Sequence, residues 1–212
     1  MSASYQLSKN VFGALRGLTP DRPPEFCDLC HLPLAEEHPH LLQVSNHEVL
    51  CACEACAVLF SHRGEHGRFF RIPRDAQQLT GFVISDAEWS ALRLPIDLAF
   101  FVQRYSEGHP TAYYPSPAGC TESLLDLAAW TGLVERNSVL AQLTPGVEAL
   151  LVNRTRGRRD YFIAPIDQCY KLAGLIRRHW RGLSGGDAVW HAIGEFFDAL
   201  DRRSVRKDIA HA

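Results

Sequence analysis

The cysteines of this chain are concentrated near its N-terminus and have the spacing of metal ligands. Five of the seven lie within thirty residues, and four of these form two C-x2-C pairs separated by 22 residues. A C-x2-C turn directs two thiolates toward one point, so two such turns can complete a tetrahedron of sulfur. Zn²⁺ favours this arrangement because it is a d¹⁰ ion that accepts soft ligands. The sequence therefore predicts a metal site at Cys27, Cys30, Cys53 and Cys56.

Iron in a rubredoxin-like centre is the alternative occupant of the same four sulfurs. Rubredoxin-type turns place glycine or another small residue after the second cysteine, so that backbone N–H groups reach the sulfurs and tune the iron potential. His31 and Ala57 occupy these positions here, and His31 is the less accommodating of the two. Zinc depends less strictly on those bonds, so zinc is the predicted ion.

Cys51 and the early histidines leave further alternatives open. In a strand, Cys51 points to the same side as Cys53, so it could replace Cys53 as a ligand, lie beside the metal or form a transient transfer site. A packed, unreactive thiol is the preferred interpretation. Imidazole suits nickel, but the irregular spacing of the histidines in polar segments does not predict a second metal site. These histidines are His31, His38, His40, His47, His62 and His66.

Composition and charge describe an ordinary globular protein. Of 212 residues, 46% are hydrophobic and 22% are charged, which is enough apolar material for a sizeable core. The net charge of −2 argues against a chain dominated by nucleic-acid or membrane electrostatics. The charge is unevenly distributed, because residues 1–149 carry 10 basic and 17 acidic side chains whereas residues 150–212 carry 12 and 7. The basic C-terminal part could contact an acidic partner.

Four arginines, Arg154, Arg156, Arg158 and Arg159, surround Gly157 in a predicted loop. If they formed a clamp for phosphate, the chain would be a nucleic-acid-binding zinc protein, which is a second alternative function. A solvated turn is the preferred interpretation, so nucleic acid is not an expected partner.

The sequence also bears on where the chain acts. Residues 11–15 form only a short, glycine-broken apolar stretch, unlike a secretory signal, and residues 98–102 are far too few to cross a bilayer. We therefore expect a cytoplasmic protein without membrane insertion. Reducing conditions there favour metal binding by clustered thiols over disulfide formation.

The chain divides into four predicted segments: an arm (1–25), a four-cysteine zinc module (26–75), an α+β domain (76–204) and a tail (205–212). Within the module, apolar runs at 41–44 and 48–51 flank Ser45-Asn46-His47 and predict a hairpin. Residues 55–60 could begin a short helix, and residues 68–72 alternate as a strand does. A cysteine turn, a hairpin and a second cysteine turn are the order found in zinc ribbons and treble clefs.

Strands and helices are mixed in the second domain. Ser85 or Asp86 caps a helix that ends before Pro95. The other predicted helices span 121–130, 145–152, 166–181 and 187–202, and the predicted strands span 81–84, 98–103, 111–114 and 161–164. Because strict βαβ alternation is missing, the predicted fold class is α+β, ending in two helices. Cys169 lies on the first of these helices without a histidine placed as a base, so it is expected to pack in the core.

Several blocks of the second domain, together with the two cysteine pairs, resemble an uncharacterised family of cytosolic proteins. The genes of that family accompany those of high-affinity nickel–iron hydrogenases and their assembly factors. The likeness covers roughly residues 26–204 and rests on these blocks in order: LPIDLAFF (94–101), YYPSPAGCTESLL (113–125), VEALLVNR (147–154), PIDQCY (165–170) and WRGLSGG (180–186).

The resemblance implies an accessory role in the maturation or assembly of such a hydrogenase, through contacts with its subunits or assembly factors. A rubredoxin-like protein that transfers electrons to or protects the same hydrogenase is the alternative. The family provides no catalytic residues to carry over, so an enzyme is not the expected class. Cys120 stands where the family is expected to have alanine, and we therefore assign no function to that thiol.

Overall fold

Ten strands in two sheets and five helices make up the described part of the chain. A computed structural model describes residues 24–61, 67–103, 109–124, 126–182 and 185–209. Nearly all of the predicted arm, and the histidines His62 and His66, lie outside the described residues.

The smaller sheet contains the predicted hairpin. Strands β1 (His40–Gln43) and β2 (Glu48–Cys51) pair antiparallel, and β3 (Phe69–Arg71) pairs on the other side of β1. Helix α1 (Glu54–Phe60) follows β2 directly. The hairpin and the short helix are therefore confirmed.

The larger sheet has seven strands in the order β10-β4-β9-β8-β5-β6-β7. All neighbours pair antiparallel except β10 and β4, which are parallel. Its strands are β4 (Gln77–Thr80), β5 (Leu98–Gln103), β6 (Pro110–Ser116), β7 (Gly119–Ser123), β8 (Glu148–Asn153), β9 (Asp160–Pro165) and β10 (Val205–Asp208).

Helices cover both faces of this sheet. One face carries α4 (Ile166–His179) and α5 (Gly186–Arg203), and the other carries α2 (Asp86–Ala91) and α3 (Leu127–Arg136). Strand residues alternate between the two cores: Ala149 and Leu151 of β8 pack under α4 and α5, whereas Leu150 and Val152 pack under α2 and α3. The result is a mixed α+β domain of three layers, so the predicted α+β class is confirmed.

The smaller sheet is attached to the larger core by a few apolar side chains. Leu42 of β1 and Ile72, just after β3, belong to the core under α4 and α5. Among the described residues of the N-terminal module, its own core has six buried members: Cys27, Leu41, Ala52, Cys56, Ala57 and Phe69. Such a small core is typical of units that need a further stabilising element.

Two predicted helices are wrong in type or in position. The helix predicted over 145–152 is the central strand β8, whose apolar run is continuous because both faces of the sheet are covered. The helix predicted from Thr121 begins only at Leu127, because Asp126 caps it by accepting from the N–H groups of Ala128 and Ala129 at 3.1 Å. Thr121 itself lies in β7.

Two further differences concern the edge strand β10 of the large sheet and its neighbour β4. The strand predicted over 81–84 is found at Gln77–Thr80 instead, since Gly81 (φ 81°) turns the chain out of the sheet. The predicted tail contributes β10, whose Val-Arg-Lys-Asp sequence lacks an apolar pattern because most of its residues are exposed. Among the described residues, every helix is too short or too polar to span a lipid bilayer.

Candidate metal centre

The first cysteine pair lies in a tight turn that a bridge between Phe26 and Pro33 closes. The N–H of Cys27 donates to the carbonyl of Leu32, and the N–H of His31 donates to the carbonyl of Cys27, both at 2.8 Å. His31 adopts φ 60°, a left-handed conformation that glycine enters more easily. The turn therefore forms in spite of the residue that the sequence marked as unfavourable.

The second pair lies at the start of helix α1. Cys53 is the N-cap, and its sulfur accepts from the N–H of Cys56 at 3.4 Å. The carbonyl of Cys53 accepts the first helical hydrogen bond, from the N–H of Ala57 at 2.8 Å. A cap and the third residue after it lie on the same side of a first helical turn, so both thiols point the same way.

Backbone pairing holds the two turns against each other. The N–H of Asp28 donates to the carbonyl of Cys51 at 2.9 Å, and the N–H of Cys51 donates to the Asp28 carboxylate at 2.7 Å. This ties the first turn to the end of β2, only two residues before Cys53. The first turn and the start of the helix are thereby fixed relative to each other by contacts that do not involve the sulfurs.

The four sulfurs converge on one point. All four Sγ atoms lie within 4.8 Å of one another, and those of Cys30 and Cys53 are 3.7 Å apart. A tetrahedral ion with metal–sulfur bonds of about 2.3 Å requires sulfur–sulfur separations of ~3.8 Å. All seven cysteines lie within the described ranges, and there they are free thiols. The four residues chosen from spacing could therefore bind one metal ion together.

The electrostatics of the cluster favour a bound cation. Burial opposes ionisation of Cys27, but the backbone N–H groups of Cys53, Leu29 and Cys30 donate to its sulfur and lower the pKa of this thiol to about 6. Burial, with the neighbouring thiols of Cys30, Cys53 and Cys27, raises the pKa of Cys56 to about 12. Four thiolates repel one another when all are charged, whereas a divalent ion would offset half of their charge and favour release of their protons.

Cys30 shows the same competition. The N–H of Leu32 favours its thiolate, but desolvation and the neighbouring Cys27 thiol outweigh this and raise the pKa of Cys30. The N–H groups that reach Cys27 and Cys30 are of the kind that tunes iron–thiolate centres. The first turn thus suits zinc and iron alike.

Cys51 does not join this group, so the suggestion that it replaces Cys53 is not supported. Its sulfur lies instead within 4.8 Å of one ring nitrogen each of His38 and His40. His40 in turn contacts Asp167, at the start of α4, with 2.7 Å between Nδ1 and Oδ2. Sequence reasoning missed this cluster. The available signal was the H-P-H pattern leading into β1 opposite Cys51, but Asp167 is 127 positions away from His40.

The arginine loop is not an open phosphate clamp. Each guanidinium contacts a carboxylate of this chain: Arg154 and Arg159 with Asp86, Arg156 with Asp187, and Arg158 with Asp160 and Asp198. Arg154 is also buried and lies 5.2 Å from the Trp89 ring centre. The hydrogen bond to Asp160 is the main reason why the pKa of Arg158 is raised. The positive charges of this loop are therefore paired with carboxylates of the same chain.

The remaining cysteines take no part in a metal cluster of the described residues. Cys169 is fully buried in the core under α4 and α5, as predicted, and burial raises its pKa well above the ordinary value. Cys120 is exposed on β7, on the far edge of the large sheet.

Comparison with known proteins places the chain in a family. The sequence pattern of a family of unknown function, DUF5947, matches residues 26–204. No curated protein and no solved structure matches the chain significantly. The matched range runs from the residue before Cys27 to the residue after α5, so it includes both the four-cysteine module and the three-layer domain. The chain therefore belongs to the DUF5947 family.

Proposed function

We propose that this chain is a zinc-binding accessory protein that works in the cytoplasm through protein–protein contacts. The observation that carries the proposal is the convergence of the Cys27, Cys30, Cys53 and Cys56 sulfurs within 4.8 Å. Closed sites of four cysteines are typical of structural zinc, which stabilises small units with little core of their own.

The module has the order of elements of a treble clef. A cysteine turn comes first, the hairpin β1–β2 follows, and the second cysteine pair opens helix α1. In this arrangement zinc joins a turn to a helix start across a hairpin, which explains why 22 residues separate the pairs. The two cysteine pairs differ in structure, because the first lies in a turn and the second at the start of a helix. This difference favours zinc over a rubredoxin-like iron centre, in which each pair would lie in a turn of the same kind.

An outward-facing apolar surface on the module supports a role in protein contacts. Val58 and Leu59 of α1 are each 65% exposed, and Phe60, Phe26 and Leu32 are also exposed. Contiguous exposed apolar side chains are unfavourable in water unless a partner covers them. We name Val58, Leu59 and Phe60 the α1 apolar surface.

We further propose that the partners are subunits or assembly factors of a nickel–iron hydrogenase. The support for this step is the resemblance of the blocks at 94–101, 113–125, 147–154, 165–170 and 180–186 to the hydrogenase-associated family. The geometry adds that the module offers a surface for protein contacts, whereas the arginine loop of the larger domain is paired with carboxylates of the same chain.

Metal analysis tests the zinc assignment. After dialysis of the full chain against a weak chelator, we expect colourless protein with one tightly bound zinc, measured by plasma mass spectrometry. Cys27→Ser should lose this ion and Cys120→Ser, the control, should keep it. Red protein with iron and visible charge-transfer absorption would establish the iron alternative instead.

Affinity capture from the cytosol of the native host tests the partner assignment. The tagged chain should recover hydrogenase subunits or assembly factors, identified by mass spectrometry. Leu59→Glu should lose them while keeping its zinc, and Val83→Glu, a matched change at another exposed apolar residue, should keep both. Consistent absence of those proteins from the wild-type eluate would reject the hydrogenase role.

A further inference from the structure

A second group of metal-ligating side chains lies beside the hairpin, apart from the four thiols. His40 of β1 and Cys51 of β2 are direct partners across the antiparallel pair, so their side chains are on the same face. His38 is two residues before His40, and the two imidazole centres are 4.9 Å apart. One ligand atom from each of His38, His40 and Cys51 lies within 4.8 Å of the others.

Hydrogen bonds already orient both imidazole rings. Nδ1 of His40 contacts Oδ2 of Asp167 at 2.7 Å, and Nδ1 of His38 contacts the carbonyl of Ala35 at 2.9 Å. Both partners are acceptors, so each Nδ1 donates its hydrogen, an arrangement that leaves Nε2 of a neutral ring as the nitrogen for a metal ion. Ligating histidines in metal sites are held in this way, with a carboxylate or a carbonyl fixing the tautomer.

Two atoms of the cluster are buried without a hydrogen-bond partner among the described residues. They are Nε2 of His38, whose side chain is only 6% exposed, and Oδ1 of Asp167. The Glu25 carboxylate is 3.7 Å from that nitrogen, too far for a hydrogen bond. A buried imidazole nitrogen with a free lone pair loses free energy unless something binds it. A metal ion is a ligand that an imidazole nitrogen of His38 and the Cys51 thiol could share.

We propose that His38, His40 and Cys51 form a second metal site, which takes a divalent first-row transition ion of the Zn²⁺, Co²⁺ and Ni²⁺ class. Two imidazoles and one thiolate match the borderline-soft character of these ions. Asp167 acts as a positioning residue, since it contacts His40 and would not touch the metal. This inference goes beyond the zinc-stabilised module, because it uses none of the four thiols.

Three protein ligands leave a coordination position open. The cavity next to the cluster has a volume of about 660 Å³, and its lining includes His38, His40 and Asp167. Closed structural sites have four protein ligands, whereas sites with three keep a place for water or an exogenous ligand. The second ion would thus be exchangeable, in contrast to the ion held by four thiolates.

Cobalt uptake tests the site in the full chain. Protein whose four-thiol site is filled with zinc is titrated with Co²⁺, and bound cobalt, retained zinc and thiolate-to-cobalt charge-transfer absorption are measured. We expect one cobalt per chain with zinc retained. Cys51→Ser should abolish the charge-transfer band, and His38→Ala should abolish binding. Asp167→Asn should weaken binding by about 10–100-fold while keeping the thiolate signature.

Two substitutions serve as matched controls. Cys120→Ser removes a thiol that belongs to neither cluster, and His47→Ala removes an imidazole from the hairpin turn, so both should bind cobalt as the wild type does. Retained zinc checks that the N-terminal module of each variant is folded, and tryptophan fluorescence checks the larger domain, which contains all four tryptophans. The site is refuted if zinc-loaded protein takes up no cobalt, if cobalt enters only as zinc leaves, or if Cys51→Ser and His38→Ala both bind as tightly as the controls.

Discussion

Replacing Cys56 by serine should unfold the N-terminal module and spare the three-layer domain. Cys56 is buried, and its sulfur is one of the four that converge. Serine is nearly the same size but binds zinc poorly, so the change removes a ligand without overpacking the core. The main expected effect is therefore loss of the metal.

The expected magnitude follows from the composition of the module core. Its two large apolar members, Leu41 and Phe69, each contribute about 1.5–3 kcal/mol by burial. Zinc binding in modules of this kind is worth about 10–16 kcal/mol at neutral pH. Because the metal contribution is the larger, even a loss of about 4 kcal/mol would raise the opening equilibrium of the module roughly 1000-fold.

Hydrogen exchange by mass spectrometry, combined with tryptophan fluorescence, separates the two parts. The amides of Ala52 and Ala57 are hydrogen-bonded within the module, to Pro39 and Cys53, and should lose their protection. All four tryptophans lie beyond residue 75, so fluorescence reports only the larger domain and should not change. Strand β8, at the centre of the large sheet, should stay protected.

Cys120→Ser is the control, since it removes an exposed thiol outside the cluster. The reasoning is refuted if Cys56→Ser keeps wild-type zinc content and wild-type protection at Ala52 and Ala57. Simultaneous loss of protection in β8 would instead mean that the module and the large domain unfold as one unit.

Three further predictions concern the larger domain. Ser85→Ala removes the N-cap of α2 and should lower the free energy of unfolding by about 1 kcal/mol in urea titration, whereas Ser90→Ala should have little effect. The hydrogen bond from Ser85, with Arg136 nearby, lowers the pKa of Glu88, so the folded state prefers the carboxylate. The Glu88 carboxylate therefore stabilises the fold at pH values above its unfolded pKa, and this stabilisation is lost as pH falls through its folded pKa. Glu88→Gln should make the free energy of unfolding less dependent on pH in the acid range. An unchanged dependence on pH would contradict the role of Glu88. Phe197→Ala should cost about 3–5 kcal/mol, since Phe197 is fully buried under the sheet; a loss below 1 kcal/mol would show that the core collapses around the gap.

The elements that the sequence predicted well are those with local signals. Ser85 and Glu88 form a reciprocal capping box that identifies the start of α2 from four residues. The amphipathic helices α4 and α5 were recognisable because their buried positions repeat with helical spacing. The hairpin β1–β2 was recognisable from two apolar runs around a polar turn.

The elements that the sequence predicted wrongly are those in which the tertiary environment selects between helix and strand. Strand β8 has apolar residues at every position from Ala149 to Val152, a pattern that a helix buried on all sides would also show. Strand β7 reads Gly-Cys-Thr-Glu-Ser and lacks a strand pattern of its own, but it pairs along β6 at the sheet edge. In both cases partners distant in sequence, rather than local preference, select the strand.

The sequence alone identified the two C-x2-C pairs, because each pair brings its own two sulfurs together within one turn of backbone. The two pairs meet because hydrogen bonds between Asp28 and Cys51 join the first turn to the end of β2. Only the tertiary structure decided the position of Cys51. Strand register places it opposite His40, and the packing of α4 brings Asp167 from 127 positions away to contact that histidine. A local pair depends on backbone geometry over four residues, whereas a cluster of this kind depends on how sheet and helix pack, which residue spacing does not encode.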